Sequence, residues 1–201
     1  PPPRPPPPPP PPRPAPPPPP GGRAGAGPAG HVNPLLAVAD ELRAREPGVV
    51  VTALGVAGGL EDDLVPARGY PLRHVPRVPL PRRPSAEWVN LPGRLKSAVD
   101  AAGAVIDETG ARVVVGFGGY VSTPAYLAAR RRDVPRVSHE QNARPGLANR
   151  LGARWAARVG VTFEGTPLKG GVVPGLPLRR ELPALVAARA AGAAGVRAAA
   201  A

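Results

Sequence analysis

Val134-Pro135-Arg136-Val137-Ser138-His139-Glu140-Gln141-Asn142, followed shortly by Pro145-Gly146-Leu147, is the stretch whose reading decides the fold. An apolar run gives way to a histidine, a carboxylate and two amides, and a helical pattern starts at Leu147. This is how a strand-to-helix loop that carries ligand-binding side chains is written. Two junctions of the same kind lie upstream. Gly25-Ala26-Gly27-Pro28-Ala29-Gly30-His31 leads into a helical pattern at Asn33, and Gly116-Phe117-Gly118-Gly119-Tyr120 follows Val113-Val114-Val115. In an open parallel sheet such loops gather at the carboxyl edge of the strands, where ligands bind. Three loops on one edge make a site.

Apolar period and breakers extend this reading into a repeated alternation of strands and helices. Asn33 reads as an N-cap and Pro34 as the first helical residue, with Leu35, Val38, Ala39 and Leu42 forming one stripe. Residues 49–55 read as a buried strand, 58–68 as a short helix with Glu61, Asp62 and Asp63 in its first turn, and 70–75 as a weaker strand. A proline-broken loop over 76–84 precedes a helix over 88–109. Further strands are expected at 112–116, 134–138, 159–163 and 171–173, with helices at 123–132 and 147–157. A βα repeat of this kind implies an α/β fold with a Rossmann-like parallel sheet covered by helices on both faces. One strand is missing from the series: a glycine loop that cradles a ligand needs a strand in front of it, and the residues before Gly25 are proline and glycine.

The first 20 residues hold 17 of the 34 prolines. Such a run forms polyproline II and joins no core. The expected organisation is a disordered Pro-rich segment over 1–24, a folded domain over 25–180 and an Ala-rich tail over 181–201. The chain begins with Pro1 and holds no methionine, which reads as a damaged or truncated start. No cysteine is present, so disulfides and thiolate metal sites are excluded. No apolar stretch reaches the length of a membrane span, and no signal-peptide pattern is found. A net charge of +12 invites a polyanionic partner. Aromatic residues make up only 3% of the chain, which argues against a stacking platform for single-stranded nucleic acid, and no nucleic-acid partner is expected. The basic segment Arg68, Arg73, Arg77, Arg82, Arg83, Arg94 and Lys96, interleaved with Leu72, Val78, Leu80, Trp88 and Leu91, suits an anionic membrane surface or a solvated face.

Each motif has a functional and a structural reading. Glycines ahead of a helix let backbone N–H groups approach a phosphate, and they also serve as ordinary loop punctuation. His31 is placed to act as a general base at neutral pH or as a structural hydrogen bonder. Tyr120 either stacks on a sugar or packs on the surface. His139, Glu140, Gln141 and Asn142 supply donors and acceptors suited to hydroxyl groups, or else cap the helix after Pro145.

Taken in order, Gly30-His31-Val32-Asn33-Pro34, Gly58-Gly59-Leu60-Glu61-Asp62-Asp63-Leu64-Val65-Pro66, Gly116-Phe117-Gly118-Gly119-Tyr120-Val121-Ser122 and His139-Glu140-Gln141-Asn142 with Pro145-Gly146-Leu147 resemble the peptidoglycan N-acetylglucosaminyltransferases of glycosyltransferase family 28. The resemblance runs from about Gly25 to Arg179 and covers the amino-terminal half of that family. It implies one Rossmann-like half of a two-domain, B-type glycosyltransferase. It also implies an inverting hexosyl transfer, without metal or cofactor, from UDP-N-acetylglucosamine to an undecaprenyl-diphosphate-linked muramoyl pentapeptide, at the cytoplasmic face of the membrane. Carried over by position, His31 and Glu140 are the catalytic candidates. Gly27, Gly30, His31, Gly118, Gly119, Tyr120, His139, Glu140 and Asn149 would contact the acceptor and its diphosphate. Pro28, Ala29, Gly30, Asn142 and Arg179 would face the donor.

The chain departs from the family at several of these positions. Where the family has Gly-Gly-Thr-Gly-Gly-His, this chain has Ala26-Gly27-Pro28-Ala29-Gly30-His31, so proline removes a hydroxyl and an N–H. Leu176 replaces an amide in the linker motif that ends at Arg179. The 201-residue form is expected to have negligible transfer activity, the tail from 181 marking the start of a missing donor-binding domain. A non-catalytic acceptor-binding or membrane-docking half that pairs with a separate donor domain is the alternative. A third reading makes residues 1–20 a polyproline ligand for an aromatic groove.

Overall fold

The computed structural model describes residues 29–78 and 87–178, together with 186, 187 and 189. The Pro-rich segment, Gly27 and Pro28 of the first glycine loop, Leu80, Arg82 and Arg83, Arg179 and most of the tail over 181–201 lie outside the described residues.

The elements alternate as expected. They run α1 (Ala29–Arg45), β1 (Ala53–Gly55), α2 (Glu61–Ala67), β2 (Leu72–His74), α3 (Glu87–Thr109), β3 (Val114–Gly116), α4 (Gly119–Arg131), β4 (Arg136–Glu140), α5 (Leu147–Gly152), β5 (Arg158–Val161) and β6 (Gly171–Val172). Every strand pairing is parallel, with Ala53 opposite Leu72, Val114 opposite Arg136, Val137 opposite Arg158 and Val159 opposite Gly171. The strands form two sheets, β1-β2 and β3-β4-β5-β6. Among the described residues no strand joins β1 to β3, which is where the sequence lacks a strand ahead of its first glycine loop.

The core falls into two clusters, the second of which takes in Val75 just past β2, with Leu54 of β1 packed against it. Val32, Leu36, Ala39, Ala53, Val65 and Tyr70 pack between α1, α2 and β1. Val75, Val99, Ala102, Ile106, Val114, Ala125, Ala128 and Ala129 pack between α3, α4 and β3. Alanines on the facing surfaces of α3 and α4 let the two backbones approach closely, and burial of their apolar area is the main stabilising term.

Strand β1 is confined to Ala53–Gly55 where 49–55 was expected, with Val50 exposed, and β4 runs on to Glu140, so that His139 and Glu140 lie on the strand and not in the loop after it. Three helix boundaries also differ from those expected. Helix α1 begins at Ala29, not at Asn33, and takes in Pro34. The missing Pro34 N–H costs one backbone bond. Burial of Val32 and a hydrogen bond from His31 Nδ1 to the Phe117 carbonyl (2.7 Å) hold the extra turn. Helix α4 starts at Gly119, where Ser122 Oγ donates to the Gly118 carbonyl (2.6 Å) and closes the first turn around the glycine pair. Helix α5 stops at Gly152, well before Ala157. There Arg136 donates to the Trp155 carbonyl through Nε (3.1 Å) and Nη2 (2.9 Å) and draws the chain into β5.

Tyr126 of α4 is fully buried. A Cβ built on Gly116 or on Gly152 would overlap its ring, so both glycines are needed for it to fit. Its Oη lies 3.1 Å from both Ser138 Oγ and Asn149 Oδ1, which ties α4 to β4 and α5.

Burial pushes the Tyr126 hydroxyl up to about 12, against an ordinary value of 10. The folded state therefore favours the neutral phenol. The resulting stability is fully present below pH 10 and is lost as pH rises from 10 through 12. Up to about 3 kcal/mol is at stake on this basis. Urea midpoints recorded from pH 8 to pH 12 should fall more steeply in the parent chain than in Tyr126→Phe. Equal slopes would remove Tyr126 as the cause.

Candidate active site

Three loops meet at the carboxyl edge of β3 and β4. They are the start of α1, the β3–α4 turn and the β4–α5 loop. His31 comes from the first, Phe117, Gly118, Gly119 and Tyr120 from the second, and Gln141 and Asn142 from the third. All of them except Gln141 line one cavity of about 1420 Å³ that continues between the two sheets.

His31 lies flat against the glycine pair. A Cβ on Gly118 would come within 2.9 Å of His31 Cε1, and one on Gly119 within 3.4 Å of Cδ2. Both glycines have positive φ, 95° and 79°, a region that side-chain-bearing residues adopt only under strain. The site therefore needs glycine twice over, once for the backbone turn and once for room beside the imidazole. The bond to the Phe117 carbonyl fixes the proton of the ring on Nδ1. The Gln141 side-chain amide is pressed against the same nitrogen. Turning that amide over brings Oε1, a buried atom otherwise lacking a partner, against the Nδ1 proton. Either way Nε2 keeps its lone pair and is the ring atom able to take a proton from a bound hydroxyl.

Glu140 is 1% exposed and its carboxylate is occupied by protein donors. Oε1 accepts from the Asn142 backbone N–H and from Asn142 Nδ2, both at 2.9 Å, and Oε2 accepts from the Gly146 N–H and Asn149 Nδ2, both at 3.0 Å. Asn149 is equally committed. Its Nδ2 also donates to the His139 carbonyl (2.9 Å), and its Oδ1 accepts from Ser138 Oγ (3.2 Å) and Tyr126 Oη. His139 is buried, with Nε2 3.0 Å from the Gly175 carbonyl and its ring tilted against Phe117. Its Nδ1 is a buried atom without a partner.

The sequence candidates thus separate into two groups. His31, Gly118, Gly119, Tyr120 and Asn142 reach the open cavity, with Gly30 on the exposed start of α1. His139 and Asn149 lie beneath it, and Glu140 touches the cavity while its oxygens face the β4–α5 loop. Tyr120 is half-exposed under the Arg77 guanidinium, which sits 4.9 Å from its ring centroid. Ala29 is described only as the first residue of α1. Gln141 was visible in the sequence as one of two adjacent amides, but nothing there paired it with His31, 110 residues away. Arg144, exposed on the β4–α5 loop, also lines the cavity. Among the described residues no group of three or more histidine, cysteine or acidic side chains could hold a metal ion.

Several members of the basic segment are already paired. Arg68 bonds Asp40, Arg73 bonds Glu108, and Lys96 lies 2.6 Å from Asp100. Among the described residues no helix is long and apolar enough to cross a membrane.

Comparison with known proteins places this geometry. The profile of the glycosyltransferase family 28 N-terminal domain matches residues 23–161. A UDP-N-acetylglucosamine--N-acetylmuramyl-(pentapeptide) pyrophosphoryl-undecaprenol N-acetylglucosamine transferase from Clavibacter sepedonicus is 60% identical over 163 residues, 81% of this chain and 44% of the relative. The protein of the same name from Leifsonia xyli is 57% identical over 170 residues, 84% of this chain and 48% of the relative. The crystal structure of Acinetobacter baumannii MurG superposes with a TM-score of 0.63 at 33% identity, covering 77% of this chain and 44% of that one. The chain spans a little under half the length of these relatives. Its parallel α/β architecture, its glycine-seated histidine and the match over 23–161 lead to one assignment: the chain belongs to glycosyltransferase family 28.

Proposed function

We propose that this chain forms the acceptor-binding half of an N-acetylglucosaminyltransferase that acts on a lipid-linked muramoyl pentapeptide, with UDP-N-acetylglucosamine as the donor. The observation that carries the reading is His31, whose Nδ1 is tied to the Phe117 carbonyl while the ring faces the open cavity. In the proposed step, Nε2 takes the proton of the acceptor hydroxyl as its oxygen attacks the anomeric carbon. The bond from that carbon to the UDP oxygen breaks, UDP leaves with the electron pair, and configuration inverts. The N-terminus of α4 at Gly119 and Tyr120, with Arg77 and Arg144 at the cavity wall, suits the acceptor diphosphate. Glu140 and Asn149 then act as positioning residues: their hydrogen bonds shape the loop that presents Asn142. Asn142, with Pro28, Ala29, Gly30 and Arg179, remains the proposed contribution to the donor. The proposed location is the cytoplasmic face of the membrane, with the basic segment as the contact.

The 201-residue chain should bind a short-chain prenyl-diphosphate-muramoyl pentapeptide in titration calorimetry and show no micromolar binding of UDP-N-acetylglucosamine. The reverse pattern would sink the assignment to the acceptor half.

A fusion of this chain to the carboxyl-terminal half of the Clavibacter relative gives a kinetic readout. There His31→Gln should lower kcat by about two to four orders of magnitude with little change in KM, and remove the acid limb of the pH profile. An unchanged pH profile would dismiss His31 as the base.

Glu140→Gln places an amide N–H against donors and should cost on the order of 2 kcal/mol of stability. In the same fusion it should leave the pH profile in place. Loss of a titrating limb without loss of stability would return Glu140 to a proton-transfer role.

A further inference from the structure

We propose that Gln141 is a positioning residue for His31, its side-chain oxygen accepting from the Nδ1 proton and so keeping the lone pair of the ring on Nε2. The same oxygen answers the positive charge that the ring gains when Nε2 takes a proton. This rests on the reading of His31 as the base and adds to it a residue 110 positions away. Three observations carry it. The Phe117 carbonyl lies 2.7 Å from His31 Nδ1, and a carbonyl only accepts, so that nitrogen holds the proton. The Gln141 amide meets the same nitrogen through its Nε2 end, which sets donor against donor. Its Oε1 is buried without a partner. A half-turn of the amide about its last torsion lets Oε1 share the Nδ1 proton with the Phe117 carbonyl, and leaves the amide N–H groups as the one unmet part. The opposite assignment, with Nδ1 bare, sets the Phe117 carbonyl against a lone pair and still leaves Oε1 without a donor.

The backbone presents Gln141 for this task. Successive side chains of a strand point to opposite faces, so Glu140, turned toward the β4–α5 loop, puts Gln141 on the side of His31. The residue is clamped before and after. The Glu140 carbonyl accepts from the Thr162 N–H (3.0 Å), and the Asn142 N–H donates to Glu140 Oε1 (2.9 Å). Gln141 does not line the cavity that His31 faces, so it acts on an acceptor hydroxyl only through the ring. An amide oxygen is too weak a base to remove the Nδ1 proton. The proton from the hydroxyl therefore stops on Nε2, and the product is an imidazolium with Nδ1–H still bonded. A carboxylate at this position would favour the charged ring before substrate arrives and remove the lone pair that the step needs. The charged side chains that line the same cavity are Glu61, Glu140, Arg77, Arg112 and Arg144. Among the described residues the groups in hydrogen-bond contact with the imidazole are the Phe117 carbonyl and the Gln141 amide, both uncharged.

The test follows the three imidazoles of the isotope-labelled 201-residue chain by long-range proton–nitrogen correlation across neutral pH, in the parent, Gln141→Glu and Gln141→Met. His74, paired with Asp62 at 2.7 Å, is the internal control for folding. In the parent the neutral His31 ring should carry its proton on Nδ1. Gln141→Glu should keep that tautomer and move the midpoint of the His31 titration up by about one pH unit or more. Gln141→Met should move it down and let the Nε2–H form appear, with His74 unmoved in both. A parent ring protonated on Nε2 overturns the proposal, as do His31 midpoints that stay in place or move in the same direction in the two variants. In the fusion to the Clavibacter half, the acid limb of the pH profile should follow the two midpoints in opposite directions with KM little changed. A His31 midpoint that moves while the kinetic limb stays supports the hold of Gln141 on the ring and dismisses His31 as the base, so the two failures are distinct.

Discussion

A carboxylate that retains only 1% of its exposure must have its charge answered from within the protein, and the shape of the β4–α5 loop follows from how Glu140 is answered. Four N–H groups converge on it, from Asn142 twice, from Gly146 and from Asn149. Each constrains a different part of the loop. The Asn142 pair folds the chain back over the end of β4, the Gly146 bond sets where α5 begins, and Asn149 binds the helix to the strand. Asn149 Oδ1 in turn accepts hydrogen bonds from Ser138 and Tyr126, so the network reaches down to α4. Hydrogen bonds to a charged group are stronger than neutral ones, and leaving a buried charge short of them is costly. The loop is held with the rigidity of its neighbours because its conformation is the one that solvates this anion.

The second organising contact is His31 on the Phe117 carbonyl. It joins α1, which belongs to the core around Val65 and Tyr70, to the end of β3, which belongs to the core around Val99 and Ala128. Among the described residues the two cores share no strand, so the proposed base also serves as a tie between them. The halves are also joined by apolar packing, with Val75 past β2 and Leu54 of β1 set against the core around Val99 and Ile106, and by the surface pair of Arg73 and Glu108, which contributes little. Geometry at His31 is thus coupled to the relation between the two sheets.

Strand-helix order was legible because buried parallel strands read as short valine runs and the helices carry apolar stripes, and all six strands were located from that pattern. The split of the sheet was half legible: no strand pattern precedes Gly25 in the sequence, and among the described residues none joins β1 to β3. Boundaries were misplaced where a long-range bond prevailed over local propensity, at Ala29 through His31 and at Gly152 through Arg136. Within the site, glycines and His31 were readable because their chemistry is local. The commitment of Asn149 and Glu140 to internal bonds was hidden, since an asparagine that contacts a ligand and one that braces a loop are the same letter.

Gly116, Tyr126 and Gly152 carry a consequence for sequence variation. The tyrosine ring fills the space that side chains at both glycines would need, so the three positions behave as one unit under mutation. A larger residue at 116 or 152 is tolerable only together with a smaller one at 126, and the smaller one surrenders the hydroxyl that reaches Ser138 and Asn149. Drift through single substitutions is closed at all three places. Descendants of this chain should therefore keep the trio intact or exchange it as a whole, along with the polar residues that answer the tyrosine.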